Sequence, residues 1–542
     1  MEKNINNFKT QVISLIDEIK SVCSDAGLRN DGNEYKIITE IFLYKFINDK
    51  FINEIKKLDK NFSNVDEISN HLNTLKSEQI EMFFMRLNEN VARLYPSELI
   101  SNIYKKQNEP NFSKIFDNTL ISIAKNNDNI FSQLTAGGKK IQIFESISQY
   151  VKDNPDEFCK AIINKLIKFS FENYFNEKFD FYASIFEYLI KDYNNNSGGT
   201  DYAEYFTPGA VSKIIASCLI QKKINNVTCY DPSAGSGTLL MNLAHEIGEN
   251  NCTIYSQDIS QKSSSFLRLN LILNNLVHSI PNAIQGNTIK EPFHKENNKL
   301  RMFDYVVSNP PFKMDFSNYR NDLETKENRK RFFAGIPNIP PKDKKKMEIF
   351  LLFIQHIISS LSKNGKAAIV VPSGFLKSKS IGLKIRKYLI ENKMLIGVIS
   401  MPKNIFANTG TRVSIMFIDK NSIKKDPILI NATKLGTTIK EGDNEKTVLS
   451  NDEENLIIKT FKEKNIIENF SVIVDQKEII EKKYSFSAGD YIYFKVNYSN
   501  LSKDEFNKKI NSSKLKIRKL SEDFKKLENE IFKNLDKIKY DI

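Results

Sequence analysis

YDPSAGSGTLLMNLAHEIG, residues 230–248, joins a short apolar run to a helical one through two closely spaced glycines, Gly235 and Gly237. The run before it, NVTCYD (226–231), is strand-like, and after Gly237 apolar residues recur every three or four positions, as on a helix face. A strand, a glycine turn and a helix make the first half of a βαβ unit. Outward from this unit the same alternation continues. The apolar runs CTIYSQD (252–258), FDYVVS (303–308), KAAIVVP (366–372), LIGVISMP (395–402) and VSIMFID (413–419) are separated by helical stretches such as SKIIASCLIQKK (212–223) and MEIFLLFIQHIISSLSKNG (347–365). This pattern predicts an α/β fold: a mostly parallel, doubly wound sheet covered by helices on both faces.

At 542 residues the chain is too long for one ordinary core. Three regions are expected: a helical N-terminal domain over 1–165, the α/β domain over 166–482, and a helical, coiled-coil-like tail over 483–542. FKTQVISLIDEIKSV (8–22) and EYKIITEIFLYKFINDKFINEI (34–55) carry the helical period of the first region. Residues 171–193 read as one or two more helices, and NNNSGGT (194–200) as a flexible loop. From Lys514 the tail places Ile517, Leu520, Phe524, Leu527, Ile531, Leu535 and Ile538 at spacings of 3, 4, 3, 4, 4 and 3. That seam suits pairing with a partner helix, or packing back onto the chain itself.

Composition narrows the function. Lys+Arg number 79 against 66 Asp+Glu, a formal charge of +13, which weakly favours a polyanionic partner. The five cysteines and five histidines form no CxxC, HExxH or i, i+4 His pair, so no disulfide framework and no metal site is expected. No apolar run approaches the ~20 residues that span a bilayer, and the first residues lack a cleavable apolar segment, so the expected location is cytoplasmic, with no membrane partner.

The glycine turn alone fits either a tight strand–helix connection or a ligand site. The next strand adds Asp258 at its tip, where a carboxylate can hold the two hydroxyls of a ribose or else cap a helix. No Lys–Ser/Thr follows the glycines, so a nucleoside triphosphate is disfavoured. Asp231, just ahead of them, would repel phosphates and suit a cationic group. A positively charged nucleoside without a pyrophosphate fits best: S-adenosylmethionine.

FDYVVS ends in SNPPF (308–312), at the same sheet rim as the glycine turn. Two prolines stop the strand and stiffen the loop. The Asn309 side-chain oxygen and the Pro310 carbonyl can both accept from an exocyclic amine, orienting its lone pair toward a methyl donor. Phe312 can stack on the base. A base inside a duplex is out of reach, so it must be flipped out.

AEYFTP (203–208), DPSAGSG (231–237), SQDIS (256–260), QGNTI (285–289), FDYVVSNPPF (303–312), IVVPSGFL (369–376) and MPKNIFANTGTRVSIMF (401–417) occur in that order. In these motifs the chain resembles the N6-adenine DNA methyltransferases, specifically the modification subunits of type I restriction–modification systems. The helical first region and heptad-like tail match that family's layout. The resemblance implies a Rossmann-like, S-adenosylmethionine-dependent methyltransferase domain. It implies that Glu204, Tyr205, Phe206, Thr207 and Pro208 cover the methionine end of the cofactor. Asp231, Gly235, Ser236 and Gly237 would form the turn beneath it, Asp258 would bind the ribose, and Asn287 would lie near the adenine ring. Asn309, Pro310, Pro311 and Phe312 would hold the target adenine. This chain departs from the family's usual pattern with Ser233-Ala234 before the first glycine, Thr238 after the second, and Asp258 where Glu is common.

The partners implied are double-stranded DNA, a specificity subunit docked through the C-terminal helix, a second copy of the chain and a restriction subunit. The basic segment NRKRFFAGIPNIPPKDKKK (328–346) is placed to track phosphates, or is a solvated loop. The alternatives are a DNA-binding scaffold that keeps the fold without activity, and an amino-methyltransferase acting on cytosine N4.

Overall fold

The computed structural model describes residues 2–29, 32–59, 65–88, 90–172, 175, 188, 207–406, 411–421, 426–441, 444–492 and 502–536. Most of the expected helices at 171–193, the loop at 194–200, Glu204, Tyr205, Phe206 and Ile538 lie outside the described residues.

The described strands are β1 (Gln133–Thr135), β2 (Lys140–Ile141), β3 (Val227–Asp231), β4 (Cys252–Asp258) and β5 (Ala283–Gln285). They continue as β6 (Lys295–Glu296), β7 (Lys299–Leu300), β8 (Phe303–Ser308), β9 (Leu361–Pro372) and β10 (Leu395–Ser400). Last come β11 (Val413–Asp419), β12 (Ile428–Asn431), β13 (Thr437–Glu441), β14 (Asn444–Val448) and β15 (Ser471–Ile473). Eleven of them form one sheet in the order β15-β12-β10-β11-β9-β8-β3-β4-β5-β1-β2, while β6–β7 and β13–β14 are separate hairpins.

From β1 to β9 every neighbour in that order is parallel. Strand β11 then inserts antiparallel between β9 and β10. The chain leaves β3 outward through β4 and β5, and returns on its other side as β8. Beyond the carboxyl ends of β3 and β8, where the winding reverses, a doubly wound sheet leaves a crevice.

The continuous apolar runs reflect burial on both faces. Ala367, Ile369 and Val371 share a core with Phe350, Ile354, Ile385 and Leu389 from the helices Phe350–Ser359 and Ser380–Glu391. Ala368 and Val370 join Ile214, Leu240 and Leu267 from the helices Gly209–Leu219, Thr238–Ile247 and Gln261–Leu273.

Two local differences from the sequence expectations have physical causes. Strand β9 starts at Leu361, so LSKNG (361–365), read as the end of a helix, is strand. Its register against β8 shifts between Phe303 and Tyr305, where a Cβ on Gly365 would stand 2.8 Å from the Phe303 carbonyl oxygen. Among the described residues of the first region the helices are interrupted by strands at 133–141, where β1 and β2 extend the large sheet beside β5. These strands are too short to show a period of two. Gln133 Nε2 donates to the Ser264 carbonyl (3.0 Å), and Arg268 Nη1 donates to the carbonyls of Ile141 (3.1 Å) and Gln142 (2.9 Å), tying this hairpin to the helix after β4.

The tail, Tyr493–Ile542, is a separate unit. Its helix runs Lys503–Leu535, beginning before Lys514 because Ser502 and Glu505 form a reciprocal capping box. Ile517, Leu520, Phe524, Leu527, Ile531 and Leu535 are all exposed on it. Among the described residues no helix is long and apolar enough to cross a membrane.

Candidate active site

The turn after β3 is built from its own backbone. Gly237, at φ +84°, precedes the helix Thr238–Ile247, and a Cβ there would stand 2.2 Å from Leu267 Cδ1. The glycine answers to a left-handed backbone and to helix packing, the tight strand–helix connection that is one of the two readings of this turn. Gly235 does face the crevice, and its N–H donates to Asp258 Oδ2 at 2.8 Å. Ser260 N–H donates to Asp258 Oδ1 at 2.8 Å. The cap of the following helix is Ser260, which accepts from Ser263 N–H, so Asp258 is free of the capping role. Burial raises the Asp258 carboxyl above its ordinary value, opposed by these two backbone donors.

Asp231 was expected to face the ligand. It is instead 1% exposed and lies under the turn. Its Oδ1 accepts the Ser233 N–H at 2.9 Å, and burial pushes its carboxyl up to about 8. Ser233 Oγ lies 2.6 Å from Ser308 Oγ, at the end of β8, so the glycine turn and the SNPPF loop are pinned to each other. Thr288 Oγ1 adds a bond to the Pro232 carbonyl at 2.7 Å.

Two clefts meet at this junction. The first is lined by Ser233, Gly235, Asp258, Asn287, Asn309 and Pro311, and walled by Ile259, Ile289, Met314, Tyr319, Ile349 and Phe353. Asp258 is the one charged side chain among its lining residues. The second is lined by Asn309, Pro310, Pro311 and Phe312, with Phe350, Pro372, Gly374, Phe375, Phe406 and Thr411 opposite. Phe312 stands edge-on to Phe350, centroids 6.3 Å apart, and Phe350 edge-on to Phe375 at 5.9 Å. Asn309 and Pro311 belong to both clefts. A group in the first can therefore reach a planar group in the second across one asparagine.

The structure thus brings Gly235, Asp258, Asn287 and Asn309–Phe312 together. Asp231, Ser236 and Gly237 support the turn without lining either cleft. Thr207 and Pro208 also line neither; Thr207 Oγ1 accepts from Asn309 Nδ2 at 3.2 Å. Asn287 Oδ1 accepts from the N–H groups of Ile289 (3.1 Å) and Lys290 (3.0 Å).

The sequence reading missed the walls. IVVPSGFL and MPKNIFANTGTRVSIMF carry no assigned role in the sequence, and they supply Pro372, Gly374, Phe375, Phe406 and Thr411. The basic segment was misread at one position. Arg331 is 5% exposed and contacts carbonyls and a histidine, whereas Lys344, Lys345 and Lys346 are exposed. The loop from Met314 to Ile349 closes the first cleft through a small core of Phe316, Tyr319, Leu323, Phe332 and Phe353.

A family model described as N-6 DNA Methylase matches residues 177–498. The type I restriction enzyme MpnII methylase subunit of Mycoplasma pneumoniae is 26% identical over 531 residues, covering 91% of this chain and 93% of the relative. The MjaIX methylase subunit of Methanocaldococcus jannaschii is 23% identical over 547 residues, covering 98% and 91%. A solved structure described as the type I restriction-modification system methyltransferase subunit from Streptococcus thermophilus has the same fold. Its TM-score is 0.71 at 20% identity, over 89% of this chain and all of that one.

Proposed function

The chain belongs to the N-6 DNA methylase family, and from that premise we propose that it is the methylase subunit of a type I restriction–modification enzyme, transferring a methyl group from S-adenosylmethionine to N6 of a flipped-out adenine. The observation that carries this reading is the pair of clefts sharing Asn309 and Pro311.

The first cleft suits the cofactor chemically. A single carboxylate, two amides, apolar walls and no lining Lys or Arg favour a cationic nucleoside and disfavour a pyrophosphate. Asp258 would accept from the ribose hydroxyls, and Ile259, Ile289 and Phe353 would flank the adenine ring. When bound, the cofactor supplies an electrophilic methyl group. The chain's residues do the rest. Phe312, Phe350 and Phe375 exclude water and sandwich the target base. Asn309 Oδ1 and the Pro310 carbonyl accept the N6 hydrogens, which draws the nitrogen lone pair out of conjugation and disperses the positive charge that builds there.

Asp258→Asn keeps an acceptor but loses the charge and one of the two oxygens. It is expected to weaken S-adenosylmethionine binding by about 10- to 100-fold, the loss of one or two hydrogen bonds to a charged group. Calorimetry checks this, and an unchanged affinity would place the ribose elsewhere.

DNA would approach over the second cleft. The turn Lys344–Lys346 is tied to the catalytic loop, since Met314 N–H donates to the Met347 carbonyl at 3.0 Å, and Lys313 lines the cleft itself. Replacing Lys344, Lys345 and Lys346 with Ala is expected to flatten the dependence of log affinity on log salt by about 0.9 per lysine that meets a phosphate. An unaltered slope would leave them as solvated surface.

The exposed stripe of the helix Lys503–Leu535 is proposed to dock the specificity subunit, with a second copy of the chain and a restriction subunit completing the complex. A DNA substrate puts this work in the cytoplasm. The test is incubation with unmethylated DNA and labelled cofactor, with and without the co-encoded specificity subunit. N6-methyladenine is the expected product. Cofactor binding without transfer would support the inactive scaffold, and label on cytosine would reassign the target.

A further inference from the structure

Thr207 enters the site from an unexpected side. The family resemblance gives it to the cofactor, yet it is 6% exposed and lines neither cleft. Its Oγ1 instead accepts from Asn309 Nδ2 at 3.2 Å. The residue is rigidly held. Pro208 follows it as the cap of the helix Gly209–Leu219, and the Pro208 carbonyl accepts from Ser212 N–H (3.0 Å) and Ser212 Oγ (3.2 Å). Val211, Ile214 and Ile215 of that helix are fully buried, so Thr207 is fastened to the core.

We propose that Thr207 is a positioning residue for Asn309, holding the amide plane and supplying the acceptor that Nδ2 needs when Oδ1 receives the substrate amine. This rests on the methyl-transfer reading. The terminal torsion of an asparagine is broad and two-fold, so nothing intrinsic holds its oxygen toward a ligand. An amine in the second cleft is a donor and selects the orientation with Oδ1 outward. That orientation turns Nδ2 inward, where it requires a buried acceptor. Thr207 Oγ1 is that acceptor. A valine of the same shape leaves the amide donor unpaired whenever the productive orientation forms, and the reverse orientation sets donor against donor.

The experiment compares wild type with Thr207→Val, Thr207→Ala and Thr207→Ser in the full chain, with the specificity subunit present if wild type requires it. Single-turnover methyl transfer and calorimetric S-adenosylmethionine affinity are both measured. The Val and Ala variants are expected to transfer at least about tenfold more slowly, with cofactor affinity within about twofold, and the Ser variant to recover most of the rate. In an Asn309→Ala background, Thr207→Val should lower neither rate nor cofactor affinity further. If the Val variant does not fold, by thermal unfolding, the Ala variant carries the same comparison. Equal losses of rate and cofactor affinity would return Thr207 to the cofactor and overturn the proposal, as would an undiminished rate. An inactive wild type overturns the methyl-transfer reading itself, so the two failures are distinguishable.

Discussion

Asn309→Ala is expected to reduce methyl transfer by about 10²- to 10³-fold or more while cofactor affinity changes by no more than about twofold. The split follows from where Asn309 stands. It lies between the clefts, and among the described residues its side chain bonds Thr207, so its removal takes nothing from Asp258, Gly235 or the apolar walls that would hold the cofactor. What disappears is one of two acceptors aimed at the amine, where positive charge develops only as the methyl group arrives. An interaction made mainly in the transition state is lost from the rate and not from ground-state binding. Pro310 remains, and its carbonyl still accepts one hydrogen, which is why residual transfer is expected. The assay is N6-methyladenine by mass spectrometry beside calorimetry. A rate within threefold of wild type, on the order of measurement scatter, would remove Asn309 from the chemistry.

Arg331→Met is expected to destabilise the chain by about 3–5 kcal/mol, the cost of leaving three buried acceptors without their donor at about 1–3 kcal/mol each, less the relief of removing a buried charge. Arg331 Nη1 donates to the Ile289 carbonyl (2.8 Å), Nη2 to the Thr288 carbonyl (2.7 Å) and Nε to His356 Nδ1 (3.0 Å). Arginine has no acceptor, so His356 Nδ1 carries no proton. The proton is therefore on Nε2, which donates to Tyr230 Oη at 3.2 Å. Burial, reinforced by the Arg331 charge, holds the imidazole well below its usual range and keeps it neutral. Burial also brings the guanidinium down to about 10, still charged at neutral pH. Methionine fills much of the volume but leaves two carbonyls and a ring nitrogen without donors. Denaturant unfolding should show a lower midpoint at an unchanged slope. Thr288 and Ile289 line the first cleft, so cofactor affinity should fall as well. A loss below about 1 kcal/mol would mean that water replaces the arginine.

Much of the site was readable before the fold because its parts are local. Strands β4, β8 and β11 match the apolar runs CTIYSQD, FDYVVS and VSIMFID residue for residue. Burial on both faces leaves a largely apolar run, ended by Asp258, Asn309 and Asp419. Strand β5 and the pair β1–β2 are two or three residues long, so no periodicity could announce them. They exist because β4 offers an edge and β5 offers another.

The sequence by itself determined the parts of the proposed chemistry: a glycine turn, a carboxylate at the next strand tip and an asparagine with two prolines at a third, all on one rim because parallel strands share a direction. The tertiary structure decided which side chains serve that chemistry and which serve the scaffold. Asp231 and Asp258 are both aspartates at strand ends, yet one is buried under the turn and the other lines the cleft. Arg331 and Lys345 lie in one basic segment, yet one bonds carbonyls in the core and the other is exposed. Composition could not separate them. A charge's role depends on what stands opposite it, and Arg331 meets Thr288, Ile289 and His356 only when the loop Met314–Ile349 folds against β5 and its neighbouring helix.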